Sequence, residues 1–278
     1  MGDDGAGAAP LAVGERVLLV DPRGRRYLVR LTPGGSFHTH SGVISHDDVA
    51  GRAEGSTVAA TTGRRFLVLR PTLADVVLKM PRGAQVIYPK DLGAILLAAD
   101  IGPGIRVLEA GVGSGALSMA MVRAGAEVVG YEVRPDFARQ ARANVIAFLG
   151  EHPAYRVEER DVYDGIDERA LDRVVLDLPE PWRVIDHART ALRPGGTLLA
   201  YLPSITQVSQ LRAALDGSGF GLAETSELLR RTWHVEARSV RPDHRMVAHT
   251  GFLTTARRLA GDADQLAVGE GGPLDAHE

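Results

Sequence analysis

The sequence predicts an α/β protein in two parts, a small N-terminal β-domain followed by a larger domain built on a parallel sheet. A length of 278 residues suits one full-sized domain and one small one. Between residues 11 and 70, short β-type runs are separated by Gly, Pro and Asp, which is typical of a small antiparallel sheet or barrel. In residues 71–260, apolar strands alternate with helical stretches, which indicates right-handed crossovers and helices on both faces of the sheet.

The elements follow in chain order. The β-type runs of the first part are Arg16–Val20, Tyr27–Leu31, Ser56–Ala60 and Phe66–Leu69. The strands predicted in the second part are Arg106–Glu109, Glu127–Tyr131, Tyr155–Glu159, Leu171–Leu176 and Gly196–Leu202. The helices predicted between them are Leu117–Arg123, Pro135–Leu149, Trp182–Ala191 and Thr206–Leu215. Residues 1–10 and 261–278 are small, Gly-rich or acidic, and are expected to be disordered tails.

Composition excludes several classes of site. There is no cysteine, so disulfides, thiolate metal sites and cysteine nucleophiles are excluded. No run approaches the length of a membrane helix, and the acidic N-terminus lacks a secretory core, so a cytoplasmic protein is expected. The net charge of -3 argues against a protein that coats nucleic acid indiscriminately, but an RNA enzyme needs only a local basic patch.

A glycine-rich turn, Glu109–Gly115 (E-A-G-V-G-S-G), lies between the apolar strand Ile105–Leu108 and a helix that begins near Ala116. Glycines in this context let the backbone turn sharply and lie against a ligand at the helix N-terminus. The next strand ends in Glu132, whose carboxylate can accept both hydroxyls of a ribose. A nucleotide-like ligand is therefore expected here.

Three observations favour S-adenosylmethionine over a nicotinamide dinucleotide as that ligand. The glycine spacing is G-x-G-x-G rather than G-x-G-x-x-G. Glu109 opens the turn, where an acidic group favours a cationic sulfonium with a free amine. Asp161 follows the third strand, where its carboxylate can accept the exocyclic amine of adenine. A NAD-dependent oxidoreductase and a turn without a ligand remain as alternatives.

An acidic residue also ends the fourth strand of the sheet. Asp177 is followed by Leu178-Pro179-Glu180-Pro181-Trp182, in the crevice where α/β folds bind ligands. The phrase is similar to the D/N-P-P-aromatic signature of methyltransferases that modify base nitrogens, with Leu and Glu inserted. A polar group at this tip can accept a hydrogen bond from a base amine, so methylation of a nucleic-acid base is predicted.

Several phrases together resemble the tRNA adenine-58 N1-methyltransferase family of bacteria and archaea. They are F-H-T-H-S-G-V-I-S-H-D-D (37–48), R-G-A-Q-V-I-Y-P-K-D (82–91), the glycine turn, L-D-L-P-E-P-W (176–182) and R-P-D-H-R-M-V-A-H-T-G-F-L (241–253). The resemblance runs from about residue 11 to residue 260. It implies a small β-domain on a Rossmann-like class I methyltransferase domain, a homotetramer, and tRNA as the partner.

The resemblance also implies roles for individual residues. Cofactor contacts are implied at Gln85, Glu109, Gly111, Val112, Gly113, Ser114, Gly115, Ala116, Leu117, Glu132, Asp161 and Asp177. Catalytic roles fall to Asp177, at the methyl acceptor, and to Tyr88, against the target base. The residues expected to contact the substrate are Tyr88, Pro179, Arg241, His244 and Arg245.

Two further clusters allow more than one interpretation. His38, His40, His46 and Asp47 could bind zinc, but the flanking Gly and Ser favour loop hydrogen bonds or contacts between subunits, and no metal is predicted. Arginines near residues 23–26 and 64–65 could reach phosphate or form a solvated face.

Overall fold

The computed structural model describes residues 9–80, 83 and 85–261. The two predicted tails lie outside the described residues, apart from residues 9, 10 and 261. The chain forms two compact units, residues 1–81 and residues 82–278. No helix in the described ranges is long and apolar enough to cross a membrane.

The described part of the first unit, residues 9–80, contains six strands and one helix. Its strands are β1 (Arg16–Val20), β2 (Arg26–Arg30), β3 (Ser36–Thr39), β4 (Gly42–Ser45), β5 (Thr57–Ala59) and β6 (Arg65–Leu69), and its helix is α1 (Leu73–Lys79). An antiparallel sheet has the order β2-β1-β6-β5, and β3 pairs with β4 as a separate hairpin. Phe66 and Val68 of β6 are buried whereas Arg65 and Leu67 are exposed, which is the two-residue period of a sheet with one buried face.

Helix α1 was not predicted from the sequence, although its start carries a capping box. The Thr72 side chain accepts from the Asp75 backbone, and the Asp75 carboxylate accepts from the Thr72 backbone at 3.1 Å. Asp75 also pairs with Arg26 of β2 at 2.8 Å. Helix α1 thereby belongs to the first unit, which ends at Pro81 rather than at residue 70.

The second unit is a seven-stranded sheet with helices. Its strands are β7 (Arg106–Ala110), β8 (Glu127–Glu132), β9 (Tyr155–Glu159), β10 (Leu171–Leu176), β11 (Leu192–Leu202), β12 (Phe220–Glu227) and β15 (Phe252–Arg258). The helices are α2 (Pro89–Ala98), α3 (Ala116–Arg123), α4 (Pro135–Leu149), α5 (Ile185–Ala191) and α6 (Ile205–Leu215). Short 3-10 helices span Val162–Asp164 and Pro181–Val184.

The strand order of this sheet is β12-β15-β11-β10-β7-β8-β9. Strands β7 to β11 pair in parallel, as predicted, while β15 runs antiparallel to both β11 and β12. A further hairpin of β13 (Trp233–Glu236) and β14 (Ser239–Pro242) lies between β12 and β15 along the chain. Strand β11 contains Pro194-Gly195-Gly196, and its pairing with β10 shifts register there, since Leu171 pairs with Leu192 whereas Arg173 pairs with Thr197.

The parallel strands position the site because their carboxyl ends meet at one edge. Strand β7 leads into the glycine turn and α3, β8 ends in Glu132, and β10 is followed by Asp177. Apolar side chains of β7, β8, β10 and β11 form one continuous core below this edge, with Leu108, Val174, Leu176 and Ala200 all fully buried. The edge is therefore supported by a fully buried apolar core.

Candidate cofactor and acceptor site

The glycine turn after β7 has the backbone conformation that glycine favours. Gly111, Gly113 and Gly115 have φ angles of +85°, +55° and +81°, and Gly115 is the N-cap of α3. From α4, the buried Asn144 donates its side-chain amide to the carbonyl oxygen of Ser114 at 3.0 Å. This hydrogen bond from α4 holds the turn in place. The amino end of α3 lies at the carboxyl edge of the sheet.

The glycine turn and the tip of β10 are in direct backbone contact. The amide of Asp177 donates to the carbonyl oxygen of Ala110 at 2.9 Å. A Cβ at Gly111 would lie 2.1 Å from the carbonyl oxygen of Asp177. Two residues that the sequence analysis singled out separately, one in the cofactor turn and one at the acceptor tip, therefore meet.

Glu132 is oriented by the same turn. It is 7% exposed, and its two carboxylate oxygens accept the amides of Gly113, at 2.9 Å, and of Arg134, at 3.0 Å. Each oxygen retains a lone pair for another donor. The arrangement suits a carboxylate that accepts ribose hydroxyls beside the glycine turn.

Asp161 lies one strand further along the edge. It is the N-cap of the 3-10 helix Val162–Asp164 and accepts from the amide of Tyr163 at 2.9 Å. The preceding residue, Arg160, donates its amide to the carbonyl oxygen of Glu132 at 3.0 Å and pairs with Asp167. Asp161 is therefore tethered next to the end of β8.

Glu109 is almost completely buried, at 1% exposure. Its carboxylate accepts from the hydroxyl of Ser118 in α3. Burial raises the pKa of Glu109 to about 8, and the negative charges of Asp177 and Glu132 add to this rise. A cation bound nearby would favour the ionised carboxylate and so lower the pKa of Glu109.

A cleft at the carboxyl edge brings together the glycine turn, Glu109 and Asp177. It is lined by Gln85, Val86, Ile87, Glu109, Gly111, Val112, Gly113, Ser114, Ala116, Leu117 and Asp177. Burial raises the pKa of Asp177 to about 7, and the charge of Glu132 contributes. The cleft thus combines a glycine turn, backbone donors and a concentration of acidic side chains.

Tyr88 and Pro179 lie on segments next to the cleft. Tyr88 is the N-cap residue of α2 and directly follows the cleft-lining Val86 and Ile87. Pro179 is exposed in the loop after Asp177, and its carbonyl oxygen accepts from Gln207 of α6 at 2.9 Å. Both positions are compatible with contact to a base that enters at this edge.

The three late basic candidates lie elsewhere in the second unit. Arg241 is in β14, opposite His234 of β13, and His244 and Arg245 follow in the connection to β15. All three are exposed. The structure does not bring them together with Asp177 in the cleft described above.

The histidine cluster of the first unit has hydrogen-bond partners of its own. His46 accepts at Nδ1 from the Thr32 amide at 3.1 Å, and His38 contacts the Ser36 hydroxyl at 3.0 Å. Asp47 accepts from the Gly34 amide. Within the described ranges, no group of three or more His, Asp or Glu side chains is arranged to hold a metal ion.

A buried polar cluster beside the site was missed by the sequence analysis. Asp91 accepts from Lys90, Tyr201 and Thr250. The adjacent opposite charges of Lys90 and Asp91, at the start of an otherwise apolar helix, were the available signal. Their partners lie more than 100 residues away in the chain, so their identity needed the fold.

Comparisons with known proteins identify the family of this chain. Residues 65–246 match the family described as "tRNA methyltransferase complex GCD14 subunit", and residues 9–58 match a TrmI-like N-terminal family. The chain is 41% identical to tRNA (adenine(58)-N(1))-methyltransferase TrmI of Thermus thermophilus, over 87% of this chain and 96% of that protein. It is 35% identical to the adenine(57)/adenine(58) enzyme TrmI of Methanocaldococcus jannaschii, over 86% and 94%.

Solved structures share the fold. A Thermotoga maritima protein described as a SAM-dependent O-methyltransferase has a TM-score of 0.88 and 33% identity, covering 94% of this chain and 98% of that one. The tRNA (m1A58) methyltransferase TrmI of Aquifex aeolicus has a TM-score of 0.80 and 30% identity, covering 90% and 99%. These matches confirm the predicted Rossmann-like class I methyltransferase fold with a small N-terminal β-domain. The chain belongs to the tRNA (adenine-58-N1)-methyltransferase family of the TrmI type.

Proposed function

We propose that this protein transfers the methyl group of S-adenosylmethionine to ring nitrogen 1 of adenosine 58 in the T-loop of tRNA. The observation that carries the proposal is the contact of Asp177 with Gly111, which puts a hydrogen-bond acceptor for a base beside a turn suited to the cofactor. Family membership supports the choice of tRNA over other nucleic acids and of methyl transfer over NAD-dependent oxidation.

The residues present fit S-adenosylmethionine. The turn at Gly111 leaves no room for a Cβ because the carbonyl oxygen of Asp177 lies there, so the cofactor turn and the acceptor tip pack directly together. Glu132 offers acceptors for ribose hydroxyls, Asp161 for the adenine amine, and Glu109 a buried carboxyl group that a bound cation would favour in its ionised form. Gln85 and Leu117 line the same cleft. When bound, the cofactor supplies an electrophilic methyl group on a sulfonium centre.

Ring nitrogen 1 of adenine already has a lone pair, so this chain need not provide a strong base. Its task is to orient the base and to stabilise the positive charge that develops on it. Ionised Asp177 accepts a hydrogen bond from the exocyclic amine and offsets that charge. Tyr88 stacks on or hydrogen-bonds to the base, which must be unpaired because this nitrogen lies on the Watson–Crick edge.

A homotetramer, acting in the cytoplasm where tRNA is used, is part of the proposal. It is supported by the β13–β14 hairpin, which exposes large apolar side chains: Trp233 is 58% exposed, Val235 68% and Val240 60%. Exposed apolar groups clustered on one arm are typical of an interaction surface. Light scattering of the purified protein tests the assembly, and Val235→Asp should shift the mass towards smaller species; a monomeric wild-type protein would contradict it.

The activity is tested with unmodified tRNA transcript and labelled cofactor. Mass spectrometry of the digested product should detect 1-methyladenosine, and primer extension should place it at position 58. A transcript with guanosine at position 58 is the matched control and should remain unmethylated. A 2′-O-methylated nucleoside, or 1-methyladenosine at another position only, would refute the proposal.

A further inference from the structure

A buried ion pair lies at the start of α2, directly after Tyr88. The side chains of Lys90 and Asp91 are 3% and 1% exposed, and Nζ of Lys90 lies 2.6 Å from Oδ1 of Asp91. Lys90 also donates to the carbonyl oxygen of Leu228 and to Oγ1 of Thr250, each at 2.6 Å. All three ammonium protons therefore have acceptors, and the pair joins α2 to the end of β12 and the start of β15.

The second carboxylate oxygen of Asp91 is directed at two hydroxyl groups. Oδ2 accepts from Oγ1 of Thr250 at 2.6 Å and from the phenol of Tyr201 at 3.3 Å. Tyr201 is 8% exposed, and a Cβ at Gly251 would lie 2.4 Å from its Cζ. The glycine after Thr250 thus lets the backbone pack against the Tyr201 ring and keeps the phenol at Asp91.

Tyr201 is the neighbour of Asp177 at the carboxyl edge. Strands β10 and β11 are parallel with Leu176 opposite Ala200, so the next residue of each strand is Asp177 and Tyr201. Burial raises the pKa of Tyr201, and the negative charges of Asp91 and Asp177 add to that rise. The phenol is therefore neutral and its proton is available as a donor.

We infer that Asp91 is a positioning residue for methyl transfer, because its hydrogen bond with Tyr201 fixes the phenol oxygen beside Asp177. With its proton directed at Asp91, that oxygen has only lone pairs left to offer. Asp177 and Tyr201 then both offer acceptors at this edge. Two acceptors match the two N–H donors of an exocyclic amine, and they disfavour a base that has a carbonyl oxygen at that position. The inference rests on the proposed function, since it concerns the acceptor side of that reaction.

A purely structural role of the ion pair would have different consequences. If Asp91 only anchored α2, its loss would lower the melting temperature and the affinity for S-adenosylhomocysteine together with activity. If it positions Tyr201, its loss lowers kcat while cofactor and tRNA binding persist. The isosteric variant Asp91→Asn separates these cases.

We expect Asp91→Asn to lower kcat about tenfold or more, since a small misplacement of a positioning group has effects of that size. Its KM values for S-adenosylmethionine and tRNA should stay within about twofold of wild type, as expected when ground-state binding is kept. Asp100→Asn is the matched control: it removes the 2.8 Å partner of the buried Arg173 at the other end of α2, and should leave kcat unchanged. A proportional loss of stability, affinity and kcat in Asp91→Asn would overturn the inference.

Tyr201→Phe completes a double-mutant cycle and serves alone if Asp91→Asn does not fold. If Asp91 acts through the phenol, Tyr201→Phe lowers kcat to a similar extent and the double variant is no worse than either single one. A wild-type kcat for Tyr201→Phe, or defects that multiply in the double variant, would overturn the inference. A wild-type enzyme that forms no 1-methyladenosine would instead refute the proposed function before any variant is compared.

Discussion

The carbonyl oxygen of Asp177 lies 2.1 Å from the place that a Cβ would take at Gly111. Gly111 also has a φ of +85°, which side chains rarely adopt. The added Cβ would meet backbone rather than a movable side chain. The Asp177 segment is itself hydrogen-bonded to the strand before Gly111, since the Asp177 amide donates to the carbonyl oxygen of Ala110 at 2.9 Å. Neither segment can yield without breaking the pairing between the ends of β7 and β10.

Gly111→Ala should therefore abolish cofactor binding in a protein that still folds. The added methyl group must push the glycine turn and the Asp177 loop apart, which displaces both halves of the site. Thermal-shift titration with S-adenosylhomocysteine measures this as loss of the ligand-induced rise in melting temperature. Gly104→Ala is the control: Gly104 has a φ of +75° but open space around it, so binding should persist with a stability loss of about 1–2 kcal/mol. Normal binding by Gly111→Ala would contradict the close contact.

Asp177→Asn should bind S-adenosylhomocysteine and turn over about a hundredfold more slowly, the usual effect of removing a group that stabilises transition-state charge. The amide cannot offset the positive charge that develops on the base. Single-turnover methylation of tRNA measures the rate. Glu180→Gln, in the same loop, removes only a surface pair with Arg183 at 2.9 Å and should have nearly wild-type activity. Equal rates for the two variants would remove Asp177 from the mechanism.

The activity of the free enzyme should rise with pH through about 7, because burial raises the pKa of Asp177 to about 7 and the ionised form is the active one. At pH 6, kcat/KM for S-adenosylmethionine should be about a tenth of its plateau, one pH unit below the inflection. The inflection in kcat should lie lower, since a bound cation favours the carboxylate. A flat profile between pH 5.5 and 8.5 in the wild type, or an inflection retained by Asp177→Asn, would refute this assignment.

Glu109 should make the ligand-free protein less stable as pH rises. Burial raises its pKa from an ordinary 4.5 to about 8, so between these values the folded state binds more protons than the unfolded state and stability falls with pH. Glu109→Gln removes the titration, and its melting temperature should fall less than that of wild type between pH 5 and pH 8. Its affinity for cationic S-adenosylmethionine should drop more than its affinity for neutral S-adenosylhomocysteine. Parallel melting curves across this pH range would contradict the prediction.

Strands β7 and β10 were predictable because each contains an apolar run that is followed by a glycine turn or an acidic residue. Strand β10 was predicted with its observed bounds, and α4 also, since Pro135 occupies its first turn and Gly150 follows its end. Strand β15 was not predicted, because its sequence F-L-T-T-A-R-R lacks a clear apolar pattern. Its buried Thr254 is satisfied by Thr225 of β12 at 2.9 Å, a partner that only the sheet supplies.

The residues of the site can likewise be divided into those whose position was predictable from the sequence and those whose position was not. Gly111, Glu132, Asp161 and Asp177 each lie at or just after the carboxyl end of a strand, so their position at one edge follows from the parallel sheet alone. The bond between Asp91 and Tyr201 joins residues 110 positions apart. It depends on β11 lying next to β10 and on the start of α2 reaching that edge, and neither follows from residue spacing.

The last prediction concerns Glu132, which meets two backbone amides with its two carboxylate oxygens, at 2.9 Å from Gly113 and 3.0 Å from Arg134. In Glu132→Gln one carboxylate oxygen becomes the NH2 group of an amide, a donor that faces one of these backbone N–H donors, so the local backbone must shift. We expect the affinity for S-adenosylhomocysteine to fall about tenfold or more, the effect of losing one charge-assisted hydrogen bond with its buried partner unsatisfied. At saturating cofactor, kcat should recover to near wild type, because Asp177 is unchanged. Glu159→Gln, at the exposed end of the neighbouring strand β9, should bind normally. If Glu132→Gln instead lowered kcat at saturation with unchanged affinity, Glu132 would act on the acceptor side rather than on the cofactor.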